Sequence, residues 1–169
     1  MEGKVPVDLG GYFFVTAPVG TVETNGLPYD DPAHFLNGDG MVYRYGFHNG
    51  TVKVRTRLSK PPCFYADLAT KTGSPYEALG FKNFGVARAS LRLGARDYVN
   101  TAMMVMEMPG EIPRLFLTYD AGRPYEIDTE SCEVVTPIGS NAEWRPEGLE
   151  HLPFTPNFSS AHPFADGHT

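Results

Sequence analysis

What this chain has little of narrows its class first. It holds 2 cysteines, Cys63 and Cys132, far apart and outside any CxxC spacing, so neither a disulfide framework nor a cysteine zinc site is expected. Both read as reduced thiols, which favours an intracellular setting, either cytoplasmic or peripheral to a membrane. Positive charge is in deficit as well, with 14 Lys and Arg against 20 Asp and Glu and a net charge of −6. Nucleic-acid binders neutralise phosphates with clustered cations, so no nucleic-acid partner is expected. No run approaches the ~20 apolar residues of a membrane-spanning helix, and the opening MEGKVPVDLGG lacks the apolar core of a signal peptide. Contact with a membrane surface stays open. Familiar catalytic motifs are missing too. His34, His48, His151, His162 and His168 show neither HExxH nor His-x3-His spacing, and there is no phosphate-cradling glycine loop and no GxSxG elbow.

What is present is turn chemistry. Gly 18 and Pro 15, in 169 residues that are 41% hydrophobic and 12% aromatic, argue for one domain with a real core and many turns, and so for an all-β chain with long Gly/Pro-rich loops. GYFFVT at 11–16 is a short aromatic and β-branched strand candidate closed by Ala17-Pro18. A loop rich in Gly, Pro, Asn and Asp follows and ends in NGDG at 37–40, where two glycines flanking Asp39 predict a tight backbone path. Two alternating segments then meet at Asn49-Gly50, the strongest hairpin signal in the chain. The first puts Met41, Tyr43, Tyr45 and Phe47 on one face. The second puts Lys53, Arg55 and Arg57 on one face and Val52, Val54, Thr56 and Leu58 on the other; the basic face is expected to be solvated.

Residues 60–95 are less regular, with one helical turn expected at 75–81. Beyond them, 100–108, 114–120, 124–128 and 132–138 read as four strands joined by PGEIP, AGR and TES. Four antiparallel strands in about 40 residues match one propeller blade, and equally a sandwich or barrel meander. The tail from Gly139, which carries Trp144, reads as a long ordered loop. Asp30, Asp31, Asn37 and Asp39 offer oxygen ligands, but their spacing does not follow a calcium loop, and a turn is expected instead.

Taken together and in order, VPVDLGGYFFVTAP, HFLNGDGMVYRYGFHNGTVKVRTRL, YVNTAMMVM, LFLTYDAGRPYEIDTESCEVV and SSAHPFADG resemble the N-terminal third of a carotenoid cleavage oxygenase. The resemblance implies an all-β, partial seven-bladed β-propeller holding one non-haem Fe(II) by four histidines. It implies cleavage of a carbon–carbon double bond of a carotenoid, apocarotenoid or stilbene-like substrate, with an apolar polyene and dioxygen as partners of the complete enzyme. The family's first iron histidine lies in an AHP motif, here Ala161-His162-Pro163, which makes His162 the implied metal ligand. A family glutamate that orients a ligand imidazole corresponds to Asp120 in TYDAGRP, one methylene shorter. Asn37 stands where the family has an aspartate, and Tyr43 where a histidine often follows.

On this resemblance residues 1–169 form one incomplete propeller, with strand-rich units at about 11–58 and 100–138. The other iron histidines match no residue here, so the chain is expected to be a fragment, inactive and aggregation-prone when alone, since one imidazole does not hold ferrous iron. The alternative from another class is a non-catalytic β-propeller-like interaction domain. A calcium- or sugar-binding sandwich is a third.

Overall fold

In the computed structural model, residues 3–22, 35–107, 109–149 and 156–164 are described. They form mostly strands, in three antiparallel sheets, with one short α-helix and two 3-10 turns. The first sheet has strand order β1-β2-β3, from β1 (Gly11–Pro18), β2 (Gly40–His48) and β3 (Thr51–Leu58). The β2–β3 hairpin turns at Asn49 and Gly50, with φ of 47° and 71°. Both left-handed positions are those that an Asn-Gly pair adopts at little cost and that match the twist of the flanking strands. Register follows from that turn, pairing His48 with Thr51 and Tyr45 with Val54, while β1 sets Phe13 against Tyr45.

This pairing sorts the side chains. Phe14, Val42 and Arg44 face inward, whereas Phe13, Tyr45 and Val54 form a row across the outer face. The aromatic positions that the sequence grouped, Met41 to Phe47, are therefore half-buried on the outer side, and the core side is held by Val42. Phe13 and Val54 remain 58% and 57% exposed, so the sheet presents an apolar face that nothing covers among the described residues.

The basic residues of β3 are exposed, as the alternation predicted. Arg55 and Arg57 also have partners. Arg44 and Arg55 both donate to the Glu130 carbonyl, at 3.1 and 2.6 Å, and Arg57 pairs with Glu133 at 3.4 Å. These contacts fasten the first sheet to a turn of the next. That turn is shaped by Asp128, whose Oδ1 accepts the N–H groups of Glu130 and Ser131, an Asx turn built from local chemistry.

The region 60–95 holds what the sequence left unread. Pro61-Pro62 opens α1 (Pro62–Ala69), where a proline in the first turn gives up no helical hydrogen bond. The helical turn expected at 75–81 is a 3-10 turn at Glu77–Leu79. A small sheet of β4 (Lys82–Asn83), β5 (Arg88–Ser90) and β6 (Gly94–Ala95) follows.

The third sheet is the four-stranded meander the turns predicted. Its strands β7 (Ala102–Met106), β8 (Arg114–Thr118), β9 (Tyr125–Ile127) and β10 (Val134–Pro137) are hydrogen-bonded in the order β10-β9-β8-β7. The core lies between this sheet and the first, where Val42, Val99, Leu117, Tyr125, Ile127 and Cys132 pack with Phe14, Met103 and Val134. Leu117 is fully buried on the second strand of the meander. Leu117→Ala is expected to lower unfolding free energy by about 2–5 kcal/mol, through lost apolar burial and the cavity left behind. Urea denaturation measures it, and a loss under ~0.5 kcal/mol would show that the two sheets do not share this core.

Candidate functional site

The last residues of β8 and the turn after it form an edge on which a distant segment is laid. Ala121 makes an isolated antiparallel bridge with Phe158. Ser159 donates its N–H to the Asp120 carbonyl at 3.2 Å and its hydroxyl to the Tyr119 carbonyl at 2.6 Å. Ala161 then donates its N–H to Asp120 Oδ1 at 3.2 Å, and its carbonyl accepts from Thr118 Oγ1 at 2.8 Å. Successive residues of one strand end thus hold the backbone just before His162. Ala161 is buried at 9% exposure, while His162 itself is exposed.

The structure therefore brings the two sequence-predicted site residues to one place. Asp120, also exposed, reaches the peptide N–H one residue before His162. Its bond is to the backbone of the motif, a role the sequence did not suggest. His48 lies at the far hairpin, its Nε2 3.1 Å from Asn49 Nδ2. His34, His151, His168, Asp30 and Asp31 lie outside the described residues. Asn37 and Asp39 are no calcium loop: both are buried, and Asp39 pairs with Arg96. Gly38 and Gly40 do mark a tight path, because a Cβ at either would run into the carbonyl of Val19 or Val99. Both cysteines are free thiols.

Beneath this edge sits a charged cluster that no local pattern signals. Arg96 is 1% exposed and donates to Asp39 Oδ1, to Asp67 Oδ2 at 3.1 Å and to the Asp97 carbonyl. Arg88 forks onto the same Asp67 at 2.7 and 2.9 Å. The Arg96 guanidinium lies 4.9 Å from the centre of the Tyr98 ring, and Tyr98 meets Tyr119 edge to face at 5.5 Å. Burial raises the Tyr98 hydroxyl well above its usual range and the Tyr119 hydroxyl to about 12.

Asp97 approaches from the other side. Its Oδ1 accepts the Val99 N–H at 3.1 Å, and a Cβ at Gly122 would overlap its carboxylate. Gly122, with φ of 151°, is the residue that lets the AGR turn close over Asp97. Asp97 and Arg123 also line an open cavity of about 930 Å³, together with Cys63, Ser90, Leu91 and Asn157.

Desolvation pushes Asp97 up to about 7 and Asp39 to about 6, the latter against the pull of Arg96. A carboxyl whose folded pKa is raised binds its proton more tightly when folded. Its stabilising share is full below the ordinary carboxylate value and is lost as pH rises through the folded value. Stability from Asp97 should accordingly fall between about pH 4 and pH 7. Asp97→Asn, which keeps the Oδ1 acceptor, should flatten that part of a plot of Tm against pH. Parallel profiles for the two proteins would show that Asp97 does not titrate in this window.

Among the described residues no three His, Cys, Asp or Glu side chains converge as a metal site. The described donor set thus does not fit a complete metal centre, and His162 is a single candidate ligand within it.

Comparison with known proteins identifies the class. The retinal pigment epithelial membrane protein family matches residues 1–169, and the chain belongs to that family. Solved structures similar to it include lignostilbene dioxygenase from Pseudomonas brassicacearum, at 24% identity and TM-score 0.51 over 80% of this chain and 26% of that one. A variant of the Synechocystis apocarotenoid oxygenase is similar at 20% identity and TM-score 0.55, over 82% of this chain and 27% of that one. The cobalt-substituted form of the same oxygenase matches at 21% identity and TM-score 0.52, over 80% and 27%. The chain spans about a quarter of the length of these structures, and identity at this level shows the shared fold. No curated protein matches the chain.

Proposed function

We propose that this chain forms N-terminal blades of a seven-bladed propeller, its units at about 11–58 and 100–138, in a non-haem Fe(II) dioxygenase. The reaction is oxidative cleavage of a carbon–carbon double bond in a carotenoid, apocarotenoid or stilbene-like substrate. The observation that carries the reading is the clasped Ala161-His162-Pro163 loop, in which Asp120 holds the N–H of the residue before an exposed His162 in a chain of this family.

In this reading His162 gives one nitrogen ligand to ferrous iron, which imidazole suits and which supplies the dioxygen chemistry when bound. Asp120 holds the backbone N–H of the residue before His162. The open outer face of the first sheet, with Phe13 and Val54 exposed, supports a neighbouring blade as its cover, because an apolar sheet face is stable only when packed.

Peripheral membrane contact belongs to the same reading. Phe84 and Leu91 are 69% and 83% exposed, and Lys82 and Arg92 lie within two residues of them in a stretch, 78–96, that carries cations and no carboxylate. Apolar side chains ringed by cations suit an anionic lipid surface. No helix among the described residues is long and apolar enough to cross a membrane.

One preparation tests the iron reading. After anaerobic Fe(II) loading, the 169-residue chain should retain well under one iron and show no cleavage of an apocarotenoid, with His162→Ala removing what iron remains. Near-stoichiometric iron with turnover would mean that residues within this chain, or a second copy, complete the site.

A further inference from the structure

The peptide between Ala161 and His162 is held at both of its ends by features that iron ligation does not require. On the near side, Thr118 Oγ1 donates to the Ala161 carbonyl at 2.8 Å. Thr118 is 1% exposed, and its hydroxyl also approaches the Ala102 carbonyl at 3.2 Å. This one side chain therefore ties β7, β8 and the His162 loop together. The carbonyl it holds belongs to the same planar unit as the His162 N–H, so fixing the oxygen fixes the plane on which His162 hangs.

On the far side stands Pro163. A residue before proline is barred from the helical region and confined to extended conformations. His162 thus has one flanking peptide anchored by Thr118 and the other restricted by proline. Its backbone freedom is reduced before any ligand arrives.

We propose that Thr118 is a positioning residue that aims the His162 imidazole by clamping the Ala161 carbonyl. The inference rests on the reading of His162 as a metal ligand, and it assigns to a strand hydroxyl a part that the acidic residue two positions on does not play. Asp120 holds the Ala161 N–H, and Thr118 holds the C=O, so the pair fixes both polar groups of one residue.

Thr118→Val keeps the shape of the side chain and removes only the donor. In the full 169-residue chain, the amides of Ser159 and Ala161 should then exchange with deuterium about tenfold faster, the loss of roughly one buried hydrogen bond. Amides in the core of β8 and β9 should be unchanged. Thr118→Ser, which restores the hydroxyl, should bring the exchange back. The three-bond Hα–Hβ couplings of His162 add a readout that a merely structural threonine would not move: they should report one dominant side-chain rotamer in the parent, averaging in Thr118→Val and recovery in Thr118→Ser.

Exchange equal in the parent and Thr118→Val, or unrescued by serine, would overturn the clamp. Couplings averaged over several rotamers in the parent chain, with the exchange effect intact, would overturn the aiming role, whereas the ligand reading stands or falls on the iron retained by the parent and His162→Ala. The two failures are read from different signals.

Discussion

Arg96 has almost no exposure, and a guanidinium cannot shed its charge to suit an apolar site. Its burial therefore obliges carboxylates to come to it. Asp39 arrives from the lead-in to β2 and Asp67 from α1, while Asp97 turns its carbonyl back from the next position. Three segments remote in sequence are fixed by one side chain. Removing a member would strand a buried charge, which is why such a cluster specifies an arrangement even where its net contribution to stability is small. Burial is what raises Asp39 and Asp97, against the opposing pull of Arg96 on both and of Arg123 on Asp97.

The same cluster sets the level of the candidate site. Tyr98 lies against Arg96 and meets Tyr119 edge to face, and Tyr119 offers its carbonyl to Ser159. Asp97 fills the space that Gly122 leaves empty, so the turn after Asp120 can sit only where Asp97 allows it. The loop bearing His162 is thus laid on an edge whose height is fixed from beneath by packed rings and a buried carboxyl. No hydrogen bond need run from the ion cluster to the histidine for the one to place the other.

How much of this could be read from residues alone follows the range of each interaction. Asn49-Gly50 declared its hairpin because the turn is decided by two adjacent residues with positive φ, and the meander was legible through PGEIP, AGR and TES for the same reason. The helix at Pro62–Ala69 was not, since a stretch of eight residues with a proline pair shows no apolar period, and Asp67 is held by arginines 21 and 29 positions away. Alternation separated the two faces of the first sheet. It could not say which would be covered, because Val42 and the Met41, Tyr43, Tyr45 and Phe47 row both offer burial-prone side chains and only packing against Leu117 and Val99 chose between them. At the site, the family pattern pointed to His162 and Asp120, but the contact of Asp120 with a backbone N–H depends on residues 41 positions apart, beyond any local signal.

An exposed histidine in a surface loop ordinarily has no need of a fixed backbone, because its solvation is satisfied in many orientations. Here the residue before it is buried, both polar groups of that residue are taken by side chains, and the residue after it is proline. Conformational freedom has been removed from the one position where a solvated side chain would gain nothing by losing it. Such restriction is what a ligand needs, since a metal or any other tight partner favours an imidazole already aimed over one that must be ordered on binding. The open apolar face of the first sheet makes a parallel demand in different chemistry. An ordered row of Phe13, Tyr45 and Val54 is stable in water only at the expense of apolar exposure, and a matching sheet would relieve it. A held backbone before His162 and an ordered apolar face both leave room for complementary groups that the described residues do not contain, and under the proposed reading a larger propeller would answer the two together.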